Sequence, residues 1–157
     1  MSVSPAPADP ASRLQWLVDR AEISDVLVEF ARALDARDGH AYASLYAEDG
    51  VLELPGGTRL VGTEQLAAGV GHALGAYQSV WHLSANHAID LRGDDAQTRS
   101  YLMAVHTHDR VPGHHAIGAG WYDNRLRRTH VGWRFTSVRL EMVWRAGNGP
   151  LPGERPD

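Results

Sequence analysis

The feature that most constrains the fold is a change of hydrophobic period partway along the chain. In EISDVLVEFARALDARD the residues Ile23, Leu27, Phe30 and Leu34 recur every three or four positions, the buried stripe of an amphipathic helix. Beyond residue 78 the pattern alternates, in runs over 79–91, 97–109, 114–127 and 131–145 separated by Gly93-Asp94-Asp95, Pro112-Gly113 and a turn near Thr129. Helices gathered ahead of a meander of long strands predict an α+β fold, an antiparallel sheet with the helices packed on one face. In finer detail the sequence predicts helices over 13–36, 39–47 after Asp38 as a cap, and 63–74 after Gly62. Short strands are expected over 51–54 and 59–61, joined by a turn at Pro55-Gly56-Gly57. A length of 157 residues with 43% hydrophobic content suits one domain, expected over 13–146. Residues 1–12 read as a disordered arm, and 147–157 as a flexible or strap-like tail.

Composition narrows the chemistry. A net charge of -4 and the lack of a basic run longer than Arg127-Arg128 argue against nucleic acid or an anionic membrane as partner. No apolar run reaches the length of a membrane span, and the first dozen residues lack the apolar core of a secretory signal, so a cytoplasmic protein is expected. The chain has no cysteine and no lysine, which removes thiolate and Schiff-base catalysis. Neither a GxSxG elbow nor a phosphate-binding loop is present. The remaining options are acid–base work by Asp, Glu, His and Tyr, or a metal held by some of the nine histidines.

One carboxylate breaks the helical pattern. Asp25, Glu29 and Arg32 mark the wet face of the first helix, whereas Asp35 falls beside Val28 and Ala31 on the flank of the apolar stripe. It is either a cap at a fraying end near Arg37 or a buried functional carboxylate. Strict alternation along 79–91 puts His82 on one strand face with Ser84 and Asn86, a polar surface suited to orienting ligand atoms or, on a solvated sheet, to nothing specific. His106 and His108 share a face of the next strand, with His114 and His115 past the hairpin and Asp109 as the one nearby carboxylate. That cluster offers a second proton donor, a divalent-metal site, or ordinary polar hairpin residues. Trp81, Trp121, Trp133 and Trp144 read as core or interface, Tyr46 and Tyr101 as pocket phenols, and Phe30 as a pocket wall. Arg145 could clamp an acidic group.

The order of elements, the LDARD motif at 34–38, LYAED at 45–49, His82 with Asn86 four residues on, and GWRF at 132–135 together resemble the SnoaL-like branch of the nuclear-transport-factor-2-like superfamily, over roughly residues 15–145. The resemblance implies a cone-shaped curved sheet wrapped by helices around an apolar pocket. Its members include scytalone dehydratase, ketosteroid isomerase, polyketide cyclases and hexachlorocyclohexane dehydrochlorinase, together with non-catalytic binding and assembly modules. In the dehydratase and the dehydrochlorinase a helix Asp partners a strand His that removes a proton, and those positions match Asp35 and His82. The dehydratase's second histidine matches His108. Its pocket tyrosines fall near Leu34 and Leu54, and its pocket asparagine near Gly118, so those polar functions are missing unless Asn86 supplies the amide.

The expectation is therefore a cofactor-independent acid–base enzyme of the dehydratase, isomerase or cyclase type. Its catalytic residues would be Asp35, His82 and His108, with Phe30, Tyr46, Leu54, Asn86, Tyr101 and Gly118 lining the pocket. The resemblance implies a small apolar substrate of polyketide or terpenoid type. The alternative is a ligand-binding or subunit-assembly module of the same fold. Large aromatics on both faces of one sheet also predict a homodimer, since one face must be covered.

Overall fold

The computed structural model describes residues 3–108 and 113–152. Helix α1 runs Pro10–Ala36, starting inside the segment expected as a disordered arm. The cause is local: the Asp9 carboxylate accepts the Ser12 amide at 2.8 Å, and Pro10 is preset for the first helical position. Just before the helix, the Ser4 hydroxyl bonds to Asp90 and, at 3.1 Å, to the Leu91 carbonyl. The helix stops where Arg37 turns left-handed (φ 56°) and its amide returns to the Ala33 and Leu34 carbonyls.

Helix α2 spans Gly39–Ser44, with the Asp38 carboxylate accepting the Ala41 amide at 2.9 Å. It ends three residues sooner than predicted because the Leu45 carbonyl accepts the Phe135 amide at 2.9 Å, which draws the chain into strand β1, Tyr46–Glu53. A 3₁₀ turn at Pro55–Gly57 leads to β2, Arg59–Val61, and then α3, Gly62–Leu74. The long strands follow as β3 Ser79–Arg92, β4 Asp95–Thr107, β5 His115–Thr129 and β6 Gly132–Gly147.

All six strands join one sheet in the order β2-β1-β6-β5-β4-β3. The last four form the expected antiparallel meander, but β1 pairs with β6 in parallel, so the sheet is antiparallel in all but one ladder. A parallel neighbour requires a long crossover, here the whole stretch from β2 to β5. The helices cover one face. Against them β4 buries Ala96, Thr98, Ser100, Leu102, Ala104 and His106 in strict alternation. The space between helices and sheet is occupied by Phe30, Tyr42, Tyr46, Tyr122 and Phe135, whose rings contact one another at 5.0–5.6 Å between centroids. After β6 the chain crosses the open end of the sheet. The Asn148 and Gly149 amides bond to the His115 carbonyl at 3.0 Å, and the Tyr77 hydroxyl donates to the Pro150 carbonyl at 3.1 Å. Among the described residues no helix is long and apolar enough to cross a membrane.

A buried ion pair fastens the start of α1 to the far end of the sheet. Asp19, only 3% exposed, meets Arg128 at 2.7 Å and accepts from Gln15 at 3.1 Å, while the Arg128 guanidinium lies 4.6 Å over the Trp133 ring. Burial pushes the Asp19 carboxyl up, but Arg128 and Gln15 outweigh it and hold it below the usual range. Removing one partner leaves a buried charge uncompensated, so Arg128→Ala is expected to cost about 3 kcal/mol in urea unfolding at pH 7. Because the native carboxyl is depressed, its stabilisation is complete above the unfolded value of 3.8 and fades as pH falls through the native one. The variant is expected to lose less stability than the parent across that acid window.

Candidate active site

Two periodicities bring the site together. Asp35 lies on the flank of α1 that faces β3, and His82 lies on the β3 face that points under the helix. Their side chains meet, with His82 Nδ1 2.8 Å from Asp35 Oδ1. The histidine side chain is 7% exposed and the carboxylate 31%, so the pair sits at the rim of the helix–sheet seam. With Nδ1–H donating to the carboxylate, Nε2 carries the free lone pair. Burial pushes the imidazole below its ordinary value, and the Asp35 bond and charge pull it partly back. The pair borders a cleft of about 230 Å³, walled by Val28, Ala31, Arg32 and Asp35 from α1 and by His82, Leu83 and Ser84 from β3. That is below the roughly 300–1,000 Å³ of pockets for drug-sized ligands, so the cleft has room for a small molecule or part of a larger one.

The second histidine at the dyad is His106, not His108. His106 pairs with Val80 across the β3–β4 ladder, which sets its inward ring diagonally beside His82, with centroids 5.4 Å apart and edge to face. His108 is one pleat further on, packed against Tyr77 at 4.7 Å and capped by Gly149, where a Cβ would come within 2.8 Å of its ring. Both ring nitrogens of His106 and Nε2 of His108 are buried without hydrogen-bond partners. Burial, reinforced by the neighbouring His82, pushes His106 down to about 4, against an opposing pull from the Ala116 backbone. At neutral pH it is an uncharged hydrogen-bonding group and not a cationic acid.

The structure also relocates the expected pocket residues. Asn86 is exposed, because a β-bulge between Ala85 and Ala88, with Asn86 left-handed at φ 51°, breaks the alternation. His87 takes the inward position instead. Its Nδ1 lies 2.7 Å from Ser24 Oγ on α1 and its Nε2 3.0 Å from Ser84 Oγ. Tyr101 is 46% exposed on the outer face against Trp121, since β4 turns its even-numbered residues inward. Leu54 lines a separate groove of about 290 Å³ with Glu53, Arg59 and Arg139. Gly118 does face inward, in line with Ala104 and His82 across the sheet, but Met142 and Leu151 occupy the space where a side chain would grow. Tyr46 and Phe30 are core residues, 4% and 5% exposed, and the Tyr46 hydroxyl is bonded to that of Tyr42 at 2.7 Å. Among the described residues no group of three or more His, Asp or Glu is placed to hold a metal ion, and Asp109 lies outside those residues.

The His106 environment carries a measurable pH signature. Its native value of about 4 lies below the unfolded 6.5, so between these values the unfolded chain binds the extra proton and stability falls with falling pH. The full span corresponds to about 3 kcal/mol. His106→Leu, which replaces two unpartnered nitrogens with apolar volume, is expected to be near neutral in stability at pH 7.5 and to flatten the slope between pH 6.5 and 4. Urea titrations at several pH values check this, and an unchanged slope would contradict it.

Sequence and fold comparisons agree with this architecture. A family model for the SnoaL-like domain matches residues 15–139. Comparison with curated proteins finds no match. Among solved structures, a nuclear-transport-factor-2-like protein with a cystatin-like fold from Novosphingobium aromaticivorans is 25% identical at a TM-score of 0.74, covering 87% of this chain and 91% of its own. A provisionally named scytalone dehydratase from the same organism is 19% identical at a TM-score of 0.77, covering 90% and 97%. A type 2 hexachlorocyclohexane dehydrochlorinase, LinA, is 19% identical at 0.79, covering 91% and 97%. With the helices on one face of a six-stranded, mostly antiparallel sheet and the family model spanning most of its length, the chain belongs to the SnoaL-like domain family and has the nuclear-transport-factor-2-like fold.

Proposed function

We propose that this protein is an acid–base enzyme that removes a proton from carbon in a small apolar molecule, using His82 as the base and Asp35 as its partner, with no cofactor needed for that step. The observation that carries the reading is the 2.8 Å bond from His82 Nδ1 to Asp35 at the edge of a cleft. Asp35 fixes the tautomer, leaves Nε2 as the base and stabilises the imidazolium formed when the proton arrives. Without the carboxylate, burial alone would leave a weaker base. His106, uncharged and unpartnered beside His82, is the nearest group to steady a polar atom of the substrate. Solved structures of the same fold named as a dehydratase and a dehydrochlorinase make elimination the reaction class to test first, with a polyketide- or terpenoid-like substrate in view.

Nitrobenzisoxazole, which opens to a cyanophenolate when a base takes its acidic ring hydrogen, reports on the base without requiring the natural substrate. His82→Ala is expected to lower kcat/KM for this opening by about a hundredfold or more, and Asp35→Asn by a smaller factor. Equal turnover by both folded variants and the parent would refute the assignment.

A second reading is a non-catalytic assembly module, and two observations favour it. The space between helices and sheet is filled by aromatic rings, and the outer sheet face carries an apolar row, Leu83–Met103–Ala119–Trp144, aligned across four strands. Trp81, Leu83, Tyr101, Met103 and Trp144 on that face are 42–53% exposed. Both readings are compatible with a homodimer through this face. Light scattering is expected to give twice the chain mass, and Trp144→Asp to shift it toward the monomer. A monomeric parent would remove the dimer.

A further inference from the structure

Proton removal from carbon by an imidazole is eased by a group that takes up the developing negative charge, so the substrate class is read from what else the cleft offers. Its polar wall residues besides the dyad are Arg32 and Ser84. The Arg32 side chain is 76% exposed and paired with Glu29 at 3.0 Å. Ser84 stands two residues from His82 on the same strand face, and its hydroxyl is held from behind. Ser84 Oγ lies 3.0 Å from His87 Nε2, and His87 Nδ1 lies 2.7 Å from Ser24 Oγ. The β-bulge at Asn86 builds this chain, since regular alternation would turn His87 to the other face.

From this geometry we infer that Ser84 is a hydrogen-bond donor for a carbonyl oxygen, that His87 and Ser24 position it, and that the cleft takes a ketone whose acidic C–H lies next to that carbonyl. The inference rests on the reading of His82 as base and adds the substrate's oxygen to it. In a neutral His87 carrying the hydrogen on Nε2, every bond runs one way. Ser24 O–H donates to Nδ1, Nε2–H donates to Ser84 Oγ, and the Ser84 hydrogen is left to point into the cleft. Burial lowers the His87 value and keeps the ring uncharged near neutral pH. In the reaction the α-hydrogen passes as a proton to His82 Nε2, the C–H pair becomes a C=C bond and the carbonyl π pair moves onto oxygen. Ser84 bonds to the enolate oxygen more strongly than to the ground-state carbonyl, and so lowers the barrier. Return of a proton from His82 to carbon closes the cycle with no other reactant.

The test uses the full-length chain and two probes, exchange of the α-hydrogens of β-tetralone in D₂O followed by proton NMR, and opening of nitrobenzisoxazole. Ser84→Ala is expected to lower kcat for ketone exchange by about a hundredfold with little change in KM, and benzisoxazole opening by a clearly smaller factor, because the phenolate that leaves there spreads its charge over a nitroaromatic ring. Ser84→Thr, which keeps the hydroxyl, is expected to restore exchange. His87→Ala is expected to give a smaller loss in kcat at unchanged KM, as suits a residue acting through Ser84. Ketone exchange that is lost in His82→Ala but untouched in Ser84→Ala would overturn the carbonyl subsite and leave the base standing. Equal losses on both probes in Ser84→Ala would also overturn it, since the effect would not be specific to the carbonyl. Neither probe responding to His82→Ala would overturn the base itself, and this inference with it.

Discussion

Everything in this domain depends on α1 lying lengthwise along β3. The contacts between them run in step along both elements, in opposite chain directions. Asp35 meets His82, and eleven helical residues earlier Ser24 meets His87, five strand residues further on with the bulge at Asn86 between them. Four more helical residues bring Arg20, whose guanidinium donates to the Ile89 carbonyl at 2.9 Å two strand residues further on. The helix is thus pinned at successive points along the strand, and Asp19 with Arg128 fixes its start to the opposite end of β5. An apolar stripe of Ile23, Leu27 and Phe30 supplies the adhesion, and the polar contacts set the register. A one-residue slip of β3 would move His82 and Ser84 out of reach of the helix together.

That alignment explains which parts of the molecule are legible in the sequence. The stripe and the four alternating runs are statements about period, and they locate α1 and the meander to within a few residues. The Asp35–His82 pair is legible for the same reason, because a carboxylate on the flank of a helical stripe and a histidine on an inward strand face are both consequences of period. What escapes is whatever breaks period or depends on non-local pairing. Asn86 reads as an inward pocket amide until the bulge turns it out and brings His87 in, and the only local hint is that Asn tolerates a left-handed backbone. Tyr101 keeps its period but changes face, because nothing within β4 says which parity points to the helices. Asp19 sits on the buried stripe of α1 and makes sense only with Arg128, more than a hundred residues away.

The interior is packed in two different ways. Beside His82 the inward row of Ala104 and Gly118 is as small as side chains allow, yet Met142 and Leu151 reach into it. A thioether and a leucine near the chain end are the groups most easily displaced, while the rings of Phe30, Tyr42, Tyr46 and Phe135 are locked against one another. The orphaned nitrogens of His106 and His108 lie on the displaceable side of this boundary and not among the rings.

The central claim is that His82 is held by Asp35 in the form that leaves Nε2 as a base. It is tested most directly by nitrogen–proton correlation NMR of the histidine rings at neutral pH. The account predicts that His82 carries its hydrogen on Nδ1, slowed in exchange by the bond to Asp35, and that Asp35→Asn abolishes this signal. A hydrogen on Nε2, or a ring averaging freely between tautomers in the parent protein, would contradict it.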